Sequence, residues 1–210
     1  MGLFRKYINQ TRKPEGILGK MMLSGMNSGH AHLADWGLSY LTDIAPEEIV
    51  DLGCGGGRNA GELLYRFSGC RVTAVDHSPL SVAKASAYNR GMVNIGRCIV
   101  REGDVSALAL DDNSYDVATA FETVYFWPGL EKCFAEVFRI LKPGGMFMIV
   151  NESDGTDKNA LQYERIIDGM KCYTVEDLMS ALKSAGFCEM QSYHHPSKPW
   201  ITVTAEKART

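Results

Sequence analysis

Ile49-Val50-Asp51-Leu52-Gly53-Cys54-Gly55-Gly56-Gly57-Arg58-Asn59-Ala60 is the stretch from which the rest of the chain can be read. An apolar run breaks into glycines and then into the helical spacing of Ala60, Leu63, Leu64 and Phe67. This predicts a strand, a tight turn and a helix N-terminus in succession. Glycine at 53, 55 and 57 lets the backbone turn sharply and brings a ligand against bare peptide, where a Cβ would collide. The helix that follows offers unpaired N–H groups and the positive end of its dipole. In open α/β sheets, such a turn at the carboxyl end of a parallel strand is where nucleotides bind.

Register decides which nucleotide. The dinucleotide fingerprint G-x-G-x-x-G begun at Gly53 demands Gly or Ala at position 58, where Arg58 stands. Begun at Gly55 it fits, as Gly55-Gly56-Gly57-Arg58-Asn59-Ala60, but its first glycine then lies away from the strand end. Asp-x-Gly-x-Gly-x-Gly, Asp51 to Gly57, fits in register. Here the chain resembles motif I of the class I S-adenosylmethionine (SAM)-dependent methyltransferases. The resemblance implies S-adenosyl-L-methionine as cofactor, with Asp51, Gly53, Cys54 and Gly55 at its amino-acid end. It also implies an α/β fold, a Rossmann-like three-layer sandwich whose mostly parallel seven-stranded sheet has an antiparallel last strand.

Arg71–Asp76 reads as a second strand ending in a carboxylate 23 positions after Gly53, the spacing at which a parallel sheet sets an acid beside a ribose. NAD and SAM sites share that feature. His77 follows, near an adenine or merely exposed. Ser78 or Ser81 caps a helix whose Leu80, Val82 and Ala85 are expected to face inward. Gly96–Val100 is a third strand, followed by Asp104 and Val105. By the resemblance these two meet the adenine edge; by residue type alone Asp104 is equally a turn residue. Ser114–Ala120 is a fourth strand, ending in Phe121-Glu122-Thr123-Val124-Tyr125-Phe126-Trp127-Pro128. These rings suit a sulfonium, a planar acceptor or the core. Phe121 joins the candidate cofactor set, and Tyr125 is the candidate catalytic contact to the acceptor. After a helix over 131–140, Leu141-Lys142-Pro143-Gly144-Gly145 predicts a turn into a fifth strand and is a second family-like motif.

The whole chain, 1–210, reads as one domain. Residues 1–45 form a helical extension, either a lid or a cover for a sheet face, with Ile17, Met21, Met22 and Met26 on one helix and a second helix from Ala31 to Thr42. Residues 46–150 form the SAM-binding half, and 151–171 an insertion with a helix over 159–168. Residues 172–210 hold a helix opened by a Thr174/Asp177 capping box and closed by Gly186, then a β-hairpin.

With 210 residues, 45% of them hydrophobic, and a net charge of −3, the chain supports one core. It carries no basic run that would draw a nucleic acid. The six cysteines, at 54, 70, 98, 133, 172 and 188, form no C-x-x-C pair and read as reduced thiols. No secretory, myristoylation or membrane-spanning segment is legible, so a cytoplasmic location is expected. No metal is expected, because His30-x-His32 with His194-His195 lacks ligand partners at suitable spacing. The expected partner is a small-molecule methyl acceptor, with no nucleic acid and no membrane; homodimerisation is left open. Two other readings stand beside it: a methyltransferase acting on macromolecules, and a NAD(P)-binding oxidoreductase or non-catalytic nucleotide module.

Overall fold

Buried strands dictate the architecture. β1 (Glu48–Leu52), β2 (Arg71–Asp76) and β4 (Tyr115–Phe121) are covered along nearly their whole length, so their apolar runs require helices on both faces. The computed structural model describes residues 29–209, together with Gly16 and Gly19. Ile17, Met21, Met22 and Met26, assigned above to a helix, lie outside the described residues.

With β3 (Cys98–Glu102), β5 (Leu141–Asn151), β6 (Cys188–His194) and β7 (Ile201–Glu206), the sheet has the order β3-β2-β1-β4-β5-β7-β6. Pairing is parallel from β3 through β5, and antiparallel between β5 and β7 and between β7 and β6. The chain order reverses between β1 and β4, which places a crevice outside their carboxyl ends. One core joins the sheet to α5 (Leu130–Ile140) and α7 (Val175–Ser184) through Phe134, Phe147 and Leu178. The other joins it to α1 (Ala31–Leu38) and α2 (Arg58–Arg66) through Leu33, Leu63 and Met148.

α1 is shorter than the helix expected over 31–42. It packs so near β5 that a Cβ on Gly37 would meet Val150 Cγ2 at 2.5 Å. Arg58 fastens it to the start of α2 through Asp35 (2.6 Å), and Arg66 donates to the Leu38 carbonyl (2.6 Å).

α3 (Pro79–Tyr88) is capped by Ser78, and α4 (Arg90–Asn94) follows it directly. Its buried stripe is Ser81 and Ala85, while Leu80 and Val82 are only partly covered. The reason is close approach to α2: a Cβ on Gly57 would fall 2.6 Å from Ala85 Cα, and Asn89 donates to the Gly57 carbonyl at 2.8 Å. Only small residues fit that seam.

The Lys142–Gly145 turn sits within β5. Leu141 pairs with Tyr115 and Met146 with Val117, so the turn bulges opposite Asp116, whose carboxylate takes Lys142 Nζ (2.7 Å) and the Glu47 and Glu48 amides. α6 (Lys158–Ile166), capped by Asp157, occupies the insertion, and the Thr174/Asp177 capping box is present at α7. No helix among the described residues is long and apolar enough to cross a membrane.

Candidate active site

The glycine turn is held from β2. Gly53 and Cys54 both donate to the Val75 carbonyl, at 2.8 and 3.0 Å. Gly53 has φ +77°, and a Cβ there would lie 2.0 Å from Thr123 Oγ1, so glycine is required on two counts. Asp76 is buried, and backbone N–H groups fix both its oxygens: Gly55 N to Oδ2 and Ser78 N to Oδ1, each at 2.9 Å. Each carboxylate oxygen keeps acceptor capacity toward the crevice. The His77 ring, largely exposed, has Nδ1 3.7 Å from Asp76 Oδ1. Asp104 accepts from Ser106 N–H at 2.8 Å, and that bond holds its carboxyl below the usual range.

These groups surround one cleft of about 330 Å³. Gly53, Gly55, Asp76, His77, Asp104, Val105 and Phe121 all line it, as do Phe126 and Trp127 of the aromatic stretch. Cys54 lines a smaller recess of about 60 Å³ beneath α1, beside His30 and Arg58. Burial pushes the Cys54 thiol well up, so it is no thiolate at neutral pH. Asp51 borders none of these spaces. It is buried at the end of β1, where Thr119 donates to Oδ1 (2.9 Å) and Oδ2 has no partner among the described residues. Desolvation raises its carboxyl to about 7.

Tyr125 lies in a 3₁₀ turn, Val124–Phe126, and faces a third cavity of about 460 Å³. Its hydroxyl donates to Glu122 Oε1 (3.2 Å) and accepts from Ser153 N–H (3.1 Å), so its own proton is already committed. Its partner Glu122 went unnoticed in the sequence reading. Glu122 sits at φ +58°, a left-handed conformation that persists in a non-glycine residue only where the surroundings enforce it. Glu152 N–H also donates to Oε1, and burial raises the carboxyl to about 8. His30 Nε2 reaches Glu152 Oε2 at 3.5 Å, and burial lowers the His30 ring below its ordinary value. Ligand atoms of His30, Glu122 and Glu152 lie within 4.8 Å of one another. The metal arrangement weighed and set aside from sequence, with His32, His194 and His195, does not gather: His195 instead packs on Trp36 and Trp200.

Comparison with known proteins bears directly on this geometry. A family model described as a methyltransferase domain matches residues 50–149, from within β1 to within β5. The sterol 24-C-methyltransferase of Saccharomyces cerevisiae is 31% identical over 160 residues, 71% of this chain and 42% of that protein. The chain carries a class I SAM-dependent methyltransferase domain.

The chain spans less than half the length of the curated relatives it matches first. A solved methyltransferase in complex with the Trm112 methyltransferase activator from Haloferax volcanii shares its fold, with a TM-score of 0.80, 20% identity and 99% of both chains covered. Geranyl diphosphate C-methyltransferase from Streptomyces coelicolor, solved with Mg2+, geranyl-S-thiolodiphosphate and S-adenosyl-L-homocysteine, has a TM-score of 0.71. It is 15% identical, with 85% of this chain and 76% of that one covered. The family's cofactor is S-adenosyl-L-methionine. The cleft suits its groups: acceptor carboxylates at the ends of the neighbouring strands β2 and β3, the glycine turn after β1 beside them, and aromatic rings in the lining.

One signal in the methyltransferase sequence pointed to Glu122. A lone acid between Phe121 and the run Val124–Trp127, just past a strand end, is costly to bury without a task.

Proposed function

We propose that this methyltransferase transfers the methyl group of SAM to a small molecule seated in the cavity of about 460 Å³ beside the cofactor cleft. One observation carries the reading: Glu122 borders both spaces, so an acceptor there lies one side chain away from the cofactor. SAM supplies a methyl on a positively charged sulfur. In this reading Asp76 accepts from the ribose hydroxyls, Asp104 and Val105 meet the adenine edge, and the Gly53–Gly55 turn lies under the amino-acid end. Asp51, set behind the turn, steadies it through Thr119. Phe121, Phe126 and Trp127 keep water from the reacting region. Holding the acceptor in line can supply about 7–11 kcal/mol of the barrier. The insertion lines the cavity with Asn159, Tyr163 and Met170, and this added wall favours a small molecule over a long polymer. Screening a metabolite mixture for S-adenosylhomocysteine release tests the reading; turnover with protein or RNA alone would overturn it.

A second reading concerns a protein partner. β3 is an unpaired sheet edge among the described residues, with Ile99 45% and nearby Ile95 67% exposed, a surface onto which another chain can add. A solved neighbour of the same fold is in complex with an activator. Light scattering of the purified chain separates a homodimer from a monomer that needs such a partner.

A further inference from the structure

Among the described residues, Glu122 alone borders the cofactor cleft, the recess under α1 and the acceptor cavity. The near end of that cavity carries the Glu122 and Glu152 carboxyls; elsewhere its wall includes the rings of Tyr125, Tyr163 and Trp200. A third acid, Asp157, is occupied, accepting from Ala160 N–H (2.9 Å) and from the Ser153 hydroxyl. Lys198 is the single basic lining residue, and its ammonium lies 3.8 Å from the centroid of the Trp200 ring. This wall therefore already holds a cation on an aromatic face. An anionic acceptor would meet two carboxyls. A neutral apolar one would leave the Glu122 carboxyl with the Tyr125 hydroxyl and the Glu152 amide as its partners and would make no use of its charge. A bare metal ion at His30, Glu122 and Glu152 would leave the aromatic wall and most of the volume without a use.

Resting on the reading of this cavity as the acceptor site, we infer that the acceptor is a small organic ammonium, a primary or secondary amine. Its nitrogen is held by Glu122 and Glu152, and its carbon skeleton lies against Tyr163 and Trp200. Glu122 is then the group that takes the proton the nitrogen must lose. The N–H bond breaks, its electron pair stays on nitrogen as the nucleophile, and the proton joins a carboxylate oxygen. The charged or titratable groups around Glu122 are His30 ahead of α1, Glu152 at the end of β5 and Tyr125, with Asp157 and Lys198 farther along the cavity. Burial keeps the free carboxyl protonated at neutral pH, and an arriving ammonium expels that proton.

Tryptamine, tryptophol and indole-3-acetate offer one ring system in cationic, neutral and anionic form. They are titrated calorimetrically into the full chain saturated with S-adenosylhomocysteine at about pH 7.5, in buffers of different ionisation enthalpy. Tryptamine should bind about tenfold more tightly than tryptophol, with a buffer-dependent heat from the departing proton. Both signals should vanish in Glu122→Gln, which keeps an acceptor oxygen for Tyr125 and the Glu152 amide. Glu152→Gln should cost about threefold in tryptamine affinity. The inference is overturned if tryptamine fails to bind, if tryptophol or indole-3-acetate binds as well, or if a folded Glu122→Gln keeps the preference. It is also overturned if Zn2+ binds, excludes tryptamine and is lost in that variant. S-adenosylhomocysteine binding is measured first on the same samples. Its absence would strike the methyl-transfer reading, whereas its presence without amine preference would strike only this inference.

Discussion

Asp76 and Glu122 are both carboxylates just past or at the end of a parallel strand, two strands apart on one rim, and they are built in opposite ways. Asp76 closes β2, and two backbone N–H groups hold its oxygens. Glu122 follows β4 in a left-handed conformation, shares one oxygen between a tyrosine hydroxyl and an amide, and has its carboxyl raised to about 8. A carboxylate fixed by one backbone amide on each oxygen is a rigid acceptor. One that burial has brought within reach of neutral pH can change its charge in service. In the proposed reading, the cofactor half of the rim is thus a mould, and the acceptor half is adjustable.

The largest test of that contrast lies under the mould. Gly53→Ala forces a Cβ into Thr123 at an unfavourable φ, and SAM affinity measured by calorimetry should fall about 100-fold, ~2.8 kcal/mol. Asp76→Ala should weaken SAM by at least about tenfold with the far-UV spectrum unchanged. An unchanged Kd would remove Asp76 from the site. Effects at Glu122 should depend on pH. The unfolded chain releases this proton near pH ~4.3, whereas the folded chain holds it to about 8, so the native state binds more protons across that window. Stability therefore falls as pH rises from one value to the other. Glu122→Gln, which cannot ionise, should melt progressively higher than the parent through that range, with the gap closing in acid. A constant gap would show that Glu122 ionises normally. Tyr125→Phe should be mildest, costing turnover less than about fivefold. Its hydroxyl bond favours the ionised Glu122, so its loss should move the pH profile upward. A turnover and profile identical to the parent would leave Tyr125 a packing residue.

The two ends also differ in how far they could be read beforehand. Asp51 to Gly57 and Asp76 announce themselves because their conformations are local: a turn demanding φ above zero at 53, 55 and 57, and an acid at a fixed distance beyond it. The Lys142–Gly145 turn and the Thr174 capping box were legible for the same reason. Glu122 was not. Its environment is assembled from Tyr125, from Glu152 thirty positions later and from His30 ahead of α1, and no short window holds them together. Leu80 and Val82 misled differently. Hydrophobicity chose them with Ala85 as the inward face; Ala85 is buried, but contact with Gly57 selected for size and put Ser81 beside it. Tyr125 was expected to make a polar contact to the acceptor; it lines the third cavity, but the direction of its proton was hidden until Ser153 was in place.

Gly37 bears on traffic through the site. With its bare Cα seated on Val150, and with Arg58 and Arg66 fastening the same helix to α2, α1 has no slack: swinging it outward would drag the central sheet along. That flank is a back wall, not a door. On the other side, α6 carries Tyr163 half in solvent along the third cavity, held, among the described residues, by none of the backbone seating that fixes α1.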